Sequence, residues 1–187
     1  MKTLTFATGN DEKFVQAQSI CAKYDVNLVR RTVEIDEIQG EDTVYVLRDK
    51  AARTFELLGE PVVVSDDAWA VPALNGFPGA YMKSVDHWFT PQDWFNLMRD
   101  HDDRSIILHQ QLAYHDGTDC HVFTYEHSGQ ILREPRGTNA KTLQQVVTMD
   151  GDDGLSIGEV LASDRDLGQR DVSQGWRRFL NWYTNQT

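Results

Sequence analysis

Apolar positions along this chain change their period several times, and each change predicts an element. Thr3 to Ala7 is a short, mostly apolar run that reads as a buried opening strand. After Gly9, Asn10 is placed as an N-cap, and Phe14, Ala17, Cys21 and Tyr24 then recur at helical spacing. Asn27 to Val33 reads as a second strand, and Val44, Leu47, Ala51, Phe55 and Leu58 step by three and four along a second helix. Beyond Pro61, the β-branched run Val62-Val63-Val64 closes on Ser65-Asp66-Asp67, which sets two acids at the expected C-terminal end of a buried strand.

The middle of the chain reads differently. A helix is expected from Pro91 to Arg99, then strands over Ser105 to His115, Cys120 to His127 and Gln130 to Arg133, with turn signals at Asp116-Gly117 and Ser128-Gly129. A last helix follows Ser173 as N-cap and buries Trp176, Phe179, Leu180 and Tyr183. Strands alternating with helices, followed by an antiparallel meander, predict an α/β fold on a mixed sheet.

At 187 residues, with no repeat and no Pro/Gly/Ser-rich linker, residues 1–187 are expected to form a single domain. The composition, 40% hydrophobic and 25% charged, is that of a folded protein. A formal net charge of −11 disfavours nucleic acid and anionic membrane as partners. It leaves a small phosphorylated ligand open, because a divalent cation and a few placed lysines set the local field. Two cysteines, Cys21 and Cys120, make no disulfide framework. The start is too short in its apolar part for a signal peptide, and no apolar run spans a membrane, so a cytoplasmic protein is expected.

Four segments could carry chemistry. Thr8-Gly9-Asn10-x-x-Lys13 turns a strand into a helix, where free N–H groups and a lysine one turn in favour an anion; an N-cap with a solvated lysine reads the same way. Glu34, Asp36, Glu37 and Glu41 offer carboxylates to a hard cation, or form a solvated acidic loop. Asp66 and Asp67 could hold a metal or take a proton from water. Ala73 to Lys83 is glycine-rich, with Lys83 in reach of a phosphate, or simply a loop. His101-Asp102-Asp103 and Asp150 to Gly154 match no complete metal motif, and His115, His121 and His127 read as structural.

In this order, Thr8-Gly9-Asn10-x-x-Lys13, Glu37-x-Gln39-Gly40-Glu41, Lys50-Ala51, Ser65-Asp66-Asp67, Leu74-Asn75-Gly76-x-Pro78-Gly79-x-Tyr81 and Pro135-Arg136-Gly137 resemble the Ham1 family, the inosine triphosphate pyrophosphatases or XTP/dITP diphosphatases. The resemblance implies an elongated mixed β-sheet flanked by helices, two lobes with a central cleft, and a homodimer. It also implies Mg²⁺-dependent hydrolysis of a nucleoside triphosphate to the monophosphate and pyrophosphate. By position, Thr8, Asn10, Lys13 and Lys50 match triphosphate-binding residues, Glu37 a metal-binding acid, and Asp67 the acid that activates water and contacts metal, with Asp66 beside it as a further metal ligand.

The departures from the family pattern are specific. Asp67 is followed by Ala68-Trp69, which loses a hydroxyl, and Gln16 stands where the family has Glu. Lys141 to Val147 replaces the Phe-Gly-Tyr/Trp-Asp-Pro segment that packs on the purine, Ser173-Gln174-Gly175 replaces Ser-His-Arg, and Gln169 replaces a lysine. Phosphate handling therefore reads as kept and base recognition as rewritten. Trp69, Tyr81, Lys83, Ser173 and Arg177 are the base-side candidates, with Arg170 and Arg178 as further sources of stacking or hydrogen bonds. The alternatives to a pyrophosphatase with altered base preference are a nucleotide-binding protein without catalysis and a pyrophosphatase for another modified nucleotide.

Overall fold

The structure, a computed structural model, describes residues 1–138, 140–163 and 173–186. Its elements in chain order are β1 (Lys2–Ala7), α1 (Asp11–Ala22), β2 (Val26–Arg31), α2 (Thr43–Leu58) and β3 (Val62–Ala70). A short 3₁₀ turn (Pro72–Leu74), β4 (Pro78–Gly79), α3 (Met82–Trp88) and α4 (Pro91–Leu97) follow. The chain continues through β5 (Ser105–His115), β6 (Cys120–Ile131), α5 (Thr142–Val146), β7 (Val147–Met149), α6 (Ile157–Ala162) and α7 (Gln174–Thr184). The strands form one seven-stranded sheet in the order β2-β1-β3-β5-β6-β7, with β4 paired to β3. The β1 strand is parallel to both β2 and β3, while β3–β4 and β6–β7 are antiparallel. The α/β class and the mixed sheet are those expected from the sequence. Among the described residues, no helix is long and apolar enough to cross a membrane.

By its internal contacts the chain divides into two compact units. The first comprises Met1–Asp67, Gln110–Tyr125 and Ser173–Thr187, and the second Ala68–His109 and Glu126–Val172.

The first unit buries both faces of its strands, which is why Val62 to Val64 is an unbroken apolar run rather than an alternating one. Successive side chains of a strand point to opposite faces. Val63 accordingly joins Leu4, Phe6 and Leu112 against Ala17 and Cys21 of α1 and Trp176 and Phe179 of α7. Val62 and Val64 join Ala113 against Leu47 and Ala51 of α2. Phe6 meets the Trp176 ring edge-on at 5.1 Å. Asp42 caps α2, its Oδ1 accepting from the amides of Val44 and Tyr45 at 3.0 Å, and Gly59 closes the helix in the left-handed conformation at φ 66°. The buried face of α2 is turned slightly from the expected one: Val46, Leu47, Ala51 and Thr54 are buried, while Val44, Phe55 and Leu58 are only partly so.

The second unit packs Val71, Val85, Trp94, Met98, Ile106 and Ile131 with Val146 and Val147. Thr90 and Asp93 form a capping box at α4, with Pro91 at its first position. The Arg104 guanidinium donates to the carbonyls of Ile131 at 2.8 Å, Leu132 at 2.6 Å and Met98 at 3.2 Å, tying the start of β5 to neighbouring segments.

Two strand expectations are corrected. Asp66 and Asp67 do not end their strand but lie inside β3, which runs on because Trp69 and Ala70 pair with Gly79 and Pro78. Ser128-Gly129 is not a turn, because β6 passes straight through it and Gly129 pairs with Met149 of β7. A Cβ at 129 would stand 2.6 Å from the Thr148 carbonyl oxygen and 2.9 Å from Met149 Sδ. The glycine serves close approach of two backbones rather than a bend. Gly129→Ala is expected to cost roughly 1–3 kcal/mol through overpacking, read as a lower urea midpoint at unchanged m-value.

Candidate active site

Three segments of the first unit, each placed by the backbone, converge on one chemistry. At the end of β1 the Thr8 amide donates to the Arg31 carbonyl at 3.0 Å, which holds the turn against β2. The Asn10 amide donates to Thr8 Oγ1 at 3.1 Å, and Asn10 Oδ1 accepts from the Lys13 amide at 3.0 Å as the N-cap of α1. The two polar residues thus shape the turn, and Lys13 emerges from the first turn of the helix beside it.

Alternation along β3 then separates the two acids. Asp67 shares the face of Val63 and Ser65, on the α1 side, and Lys13 Nζ lies 2.8 Å from its Oδ2, each side chain about one-third exposed (31% and 32%). Asp66 projects to the opposite face, the side of α2 and Lys50. Lys50 Nζ in turn lies 2.7 Å from Glu37 Oε1. Of the acidic run, Glu34, Asp36 and Glu41 are exposed, and Glu37 is the member that meets a lysine.

Burial pushes the Asp66 carboxyl above its ordinary value; Lys50, then Lys13 and the Asp67 amide that donates to it at 2.9 Å, pull it back, and Glu37 adds to the rise. Partial burial thus disfavours the charged form of Asp66, and two lysines are near enough to offset part of that effect.

A small open pocket of about 40 Å³ lies on the Asp67 face, lined by Lys13, Gln16, Ser65, Asp67, Gln110, Leu112 and Trp176. Sequence reasoning noted Gln16 only as a departure and missed Gln110 and Leu112. Nothing in a strand of alternating residues marks which polar position faces a pocket.

The base-side candidates fall in both units. Trp69 packs against the core of the second unit, Tyr81 precedes α3 and is 39% exposed, and Lys83 is exposed on α3. In the first unit, Ser173 makes no capping bond to the backbone, contrary to expectation; its Oγ accepts from Arg177 Nε at 2.7 Å instead. Arg178 lies 5.0 Å over the Tyr125 ring and donates to the Thr124 carbonyl, so it binds α7 to β6. Gln169 and Arg170 lie outside the described residues.

Lysines and carboxylates are thus interleaved around one turn and one strand. The Ham1 family model matches residues 4–166. This chain belongs to the Ham1 family. Relatives of this Ham1 chain include the dITP/XTP pyrophosphatase of Methanopyrus kandleri, 29% identical over 186 residues that cover 99% of this chain and 97% of that protein. The inosine triphosphate pyrophosphatase of Tuber melanosporum is 30% identical over 136 residues, 72% of this chain and 65% of that one. The HAM1 protein of Coxiella burnetii shares the fold, with a TM-score of 0.78 at 19% identity over 98% of this chain and 97% of that one.

Among the described residues, no three His, Cys, Asp or Glu side chains gather as a metal-ligand cluster. The Ham1 chain instead offers single carboxylates, each set against a lysine. Mg²⁺ usually takes one or two carboxylates and completes its shell with water and phosphate oxygens. The donor set thus fits a cation that arrives with a polyphosphate.

Proposed function

We propose that this chain hydrolyses a (deoxy)nucleoside triphosphate to the monophosphate and pyrophosphate in the presence of Mg²⁺. The observation that carries the reading is the pair of lysine–carboxylate contacts, Lys13–Asp67 and Lys50–Glu37, flanking the partly buried Asp66. Family membership and the names of the relatives support it.

In this reading Lys13 and Lys50 turn from their carboxylates to phosphate oxygens, while Thr8 and Asn10 hold the turn that presents the start of α1 to the same anion. Asp67, beside Lys13, takes a proton from water as its oxygen bonds to the α-phosphorus; the α–β bridge breaks and pyrophosphate leaves with the bridging oxygen. Glu37, Asp66 and Asp67 are the oxygen ligands available to Mg²⁺, which when bound supplies neutralisation of the phosphate charge. The reading includes a cytoplasmic homodimer, as the family resemblance implies. It also includes a base preference altered from that of the relatives, on the departures from the family pattern at Lys141 to Val147, Gln169 and Ser173-Gln174-Gly175.

The test is pyrophosphate release with Mg²⁺ across ITP, XTP, the four common nucleoside triphosphates and their deoxy forms, with Asp67→Asn as control. Turnover of at least one, lost in the control, is expected. Binding of nucleotides with no turnover anywhere on the panel would replace the reading with that of a nucleotide-binding protein.

A further inference from the structure

The pocket beside Lys13 and Asp67 has a side that phosphate chemistry does not use, formed by Gln110 and Leu112 of β5 and Trp176 of α7. Gln110 Oε1 is buried and has no hydrogen-bond partner among the described residues. An amide oxygen left unpaired out of water is destabilising, and such groups are rare in folded proteins. The space it occupies exists because α7 carries glycine at 175: a Cβ there would stand 2.9 Å from Gln110 Oε1, and 3.5 and 3.6 Å from its Cδ and Cγ. Gly175 lies within the helix and not at positive φ, so its backbone conformation does not call for glycine. A glycine inside a helix and an unpaired amide, each unfavourable alone, thus meet at one wall of the pocket.

We propose that Gln110 reads the hydrogen-bonding edge of the nucleobase, an inference that rests on reading the pocket as part of a nucleotide site. Leu112 and Trp176, both almost fully buried, form the apolar floor of the pocket, and Lys13 lies at its other side. A carboxamide carries a donor beside an acceptor, the complement of a base edge that also carries one of each. Rotation of the amide lets the same residue face an oxo edge with its N–H or an amino edge with its C=O. Gln16, one turn beyond Lys13 on the same face of α1, is the second carboxamide of the pocket.

Gln110→Glu replaces the donor with a second acceptor and leaves the volume unchanged. The ratio of kcat/KM for an oxo-edge over an amino-edge triphosphate, ITP over ATP or UTP over CTP, is expected to fall at least about tenfold, since a site built on hydrogen bonds rejects the wrong edge strongly. The ribose-to-deoxyribose ratio is expected to stay within about twofold, because the edge and not the sugar is read. An unmoved base ratio, or a moved sugar ratio, overturns the inference.

If the wild-type protein turns over no triphosphate, the proposed function falls but the inference is still decided, by calorimetry with IMP and AMP. The same ratio shift between their affinities sustains it, and no binding of either by wild type overturns it. If Gln110→Glu does not fold, Gln110→Leu decides. It is expected to lose at least about tenfold affinity for IMP and AMP with ribose 5-phosphate unaffected and thermal stability no lower than wild type. No loss, or a loss shared with ribose 5-phosphate, overturns the inference.

Discussion

Asp67→Asn is expected to lower kcat for pyrophosphate release about a thousandfold, within the 10²–10⁴ range that a positioned acid or base contributes. The substitution removes the proton acceptor and, with it, one of the three carboxylates available to Mg²⁺. The side chain keeps its size and its place on the α1 face of β3, and an amide oxygen can still accept from Lys13. The ion pair it replaces is about one-third exposed on each side (31% and 32%), and such pairs contribute at most about 1 kcal/mol to stability. The melting temperature is therefore expected to change little. Affinity is expected to hold or tighten, because Lys13 no longer has to leave a carboxylate to meet a phosphate. Stopped turnover with retained binding of a nonhydrolysable nucleotide separates a catalytic acid from a merely structural one. A comparable loss of affinity, with kcat preserved, would instead make Asp67 a binding group.

Much of this site was legible in the sequence, and the unreadable part has a physical reason. The three valines at 62 to 64 announced a strand covered on both faces, but its continuation through Asp66 and Asp67, which sets the two acids on opposite sides, rests on the pairing of Trp69 and Ala70 with β4 and was not legible. Which lysine meets which acid was not legible, since it depends on how α1 and α2 dock on the sheet, a tertiary property that helical spacing does not encode. Family resemblance named Lys13, Lys50, Glu37 and Asp67 without their mutual contacts. Glycine misled once and stayed silent once, for one reason. Ser128-Gly129 has the composition of a turn, yet Gly129 is there because the Thr148 carbonyl and Met149 leave no room for a Cβ. Gly175 stood out only as a departure from a family triplet, and its role as the space that admits the Gln110 carboxamide needs both segments in place. Period and turn chemistry report local backbone preference, whereas close approach between distant segments leaves no mark on either.

Asp66→Asn is the other change with a large expected effect, and it is expected to move stability and activity in opposite directions. Burial is the largest influence on Asp66 and acts against its charged form, with Lys50 and Lys13 offsetting only part of it. An ionised Asp66 therefore costs the folded protein stability at neutral pH, and a neutral amide of the same shape removes that cost. The substituted protein, free of ligand, is expected to melt higher, each kcal/mol regained appearing as about 2–4 °C for a chain of this length. Activity is expected to fall at least about a hundredfold in kcat/KM, because a carboxylate that neutralises and positions charge around the phosphates is gone. Adding Mg²⁺ and pyrophosphate should reverse the order of the melting temperatures: a ligand that binds only the folded state stabilises in proportion to its affinity, and wild type binds it more tightly. A lower melting temperature for Asp66→Asn without ligand would show that the acid is held for structure. The expected crossing, higher alone and lower with ligand, is the signature of a partly buried charge kept for binding at the expense of stability.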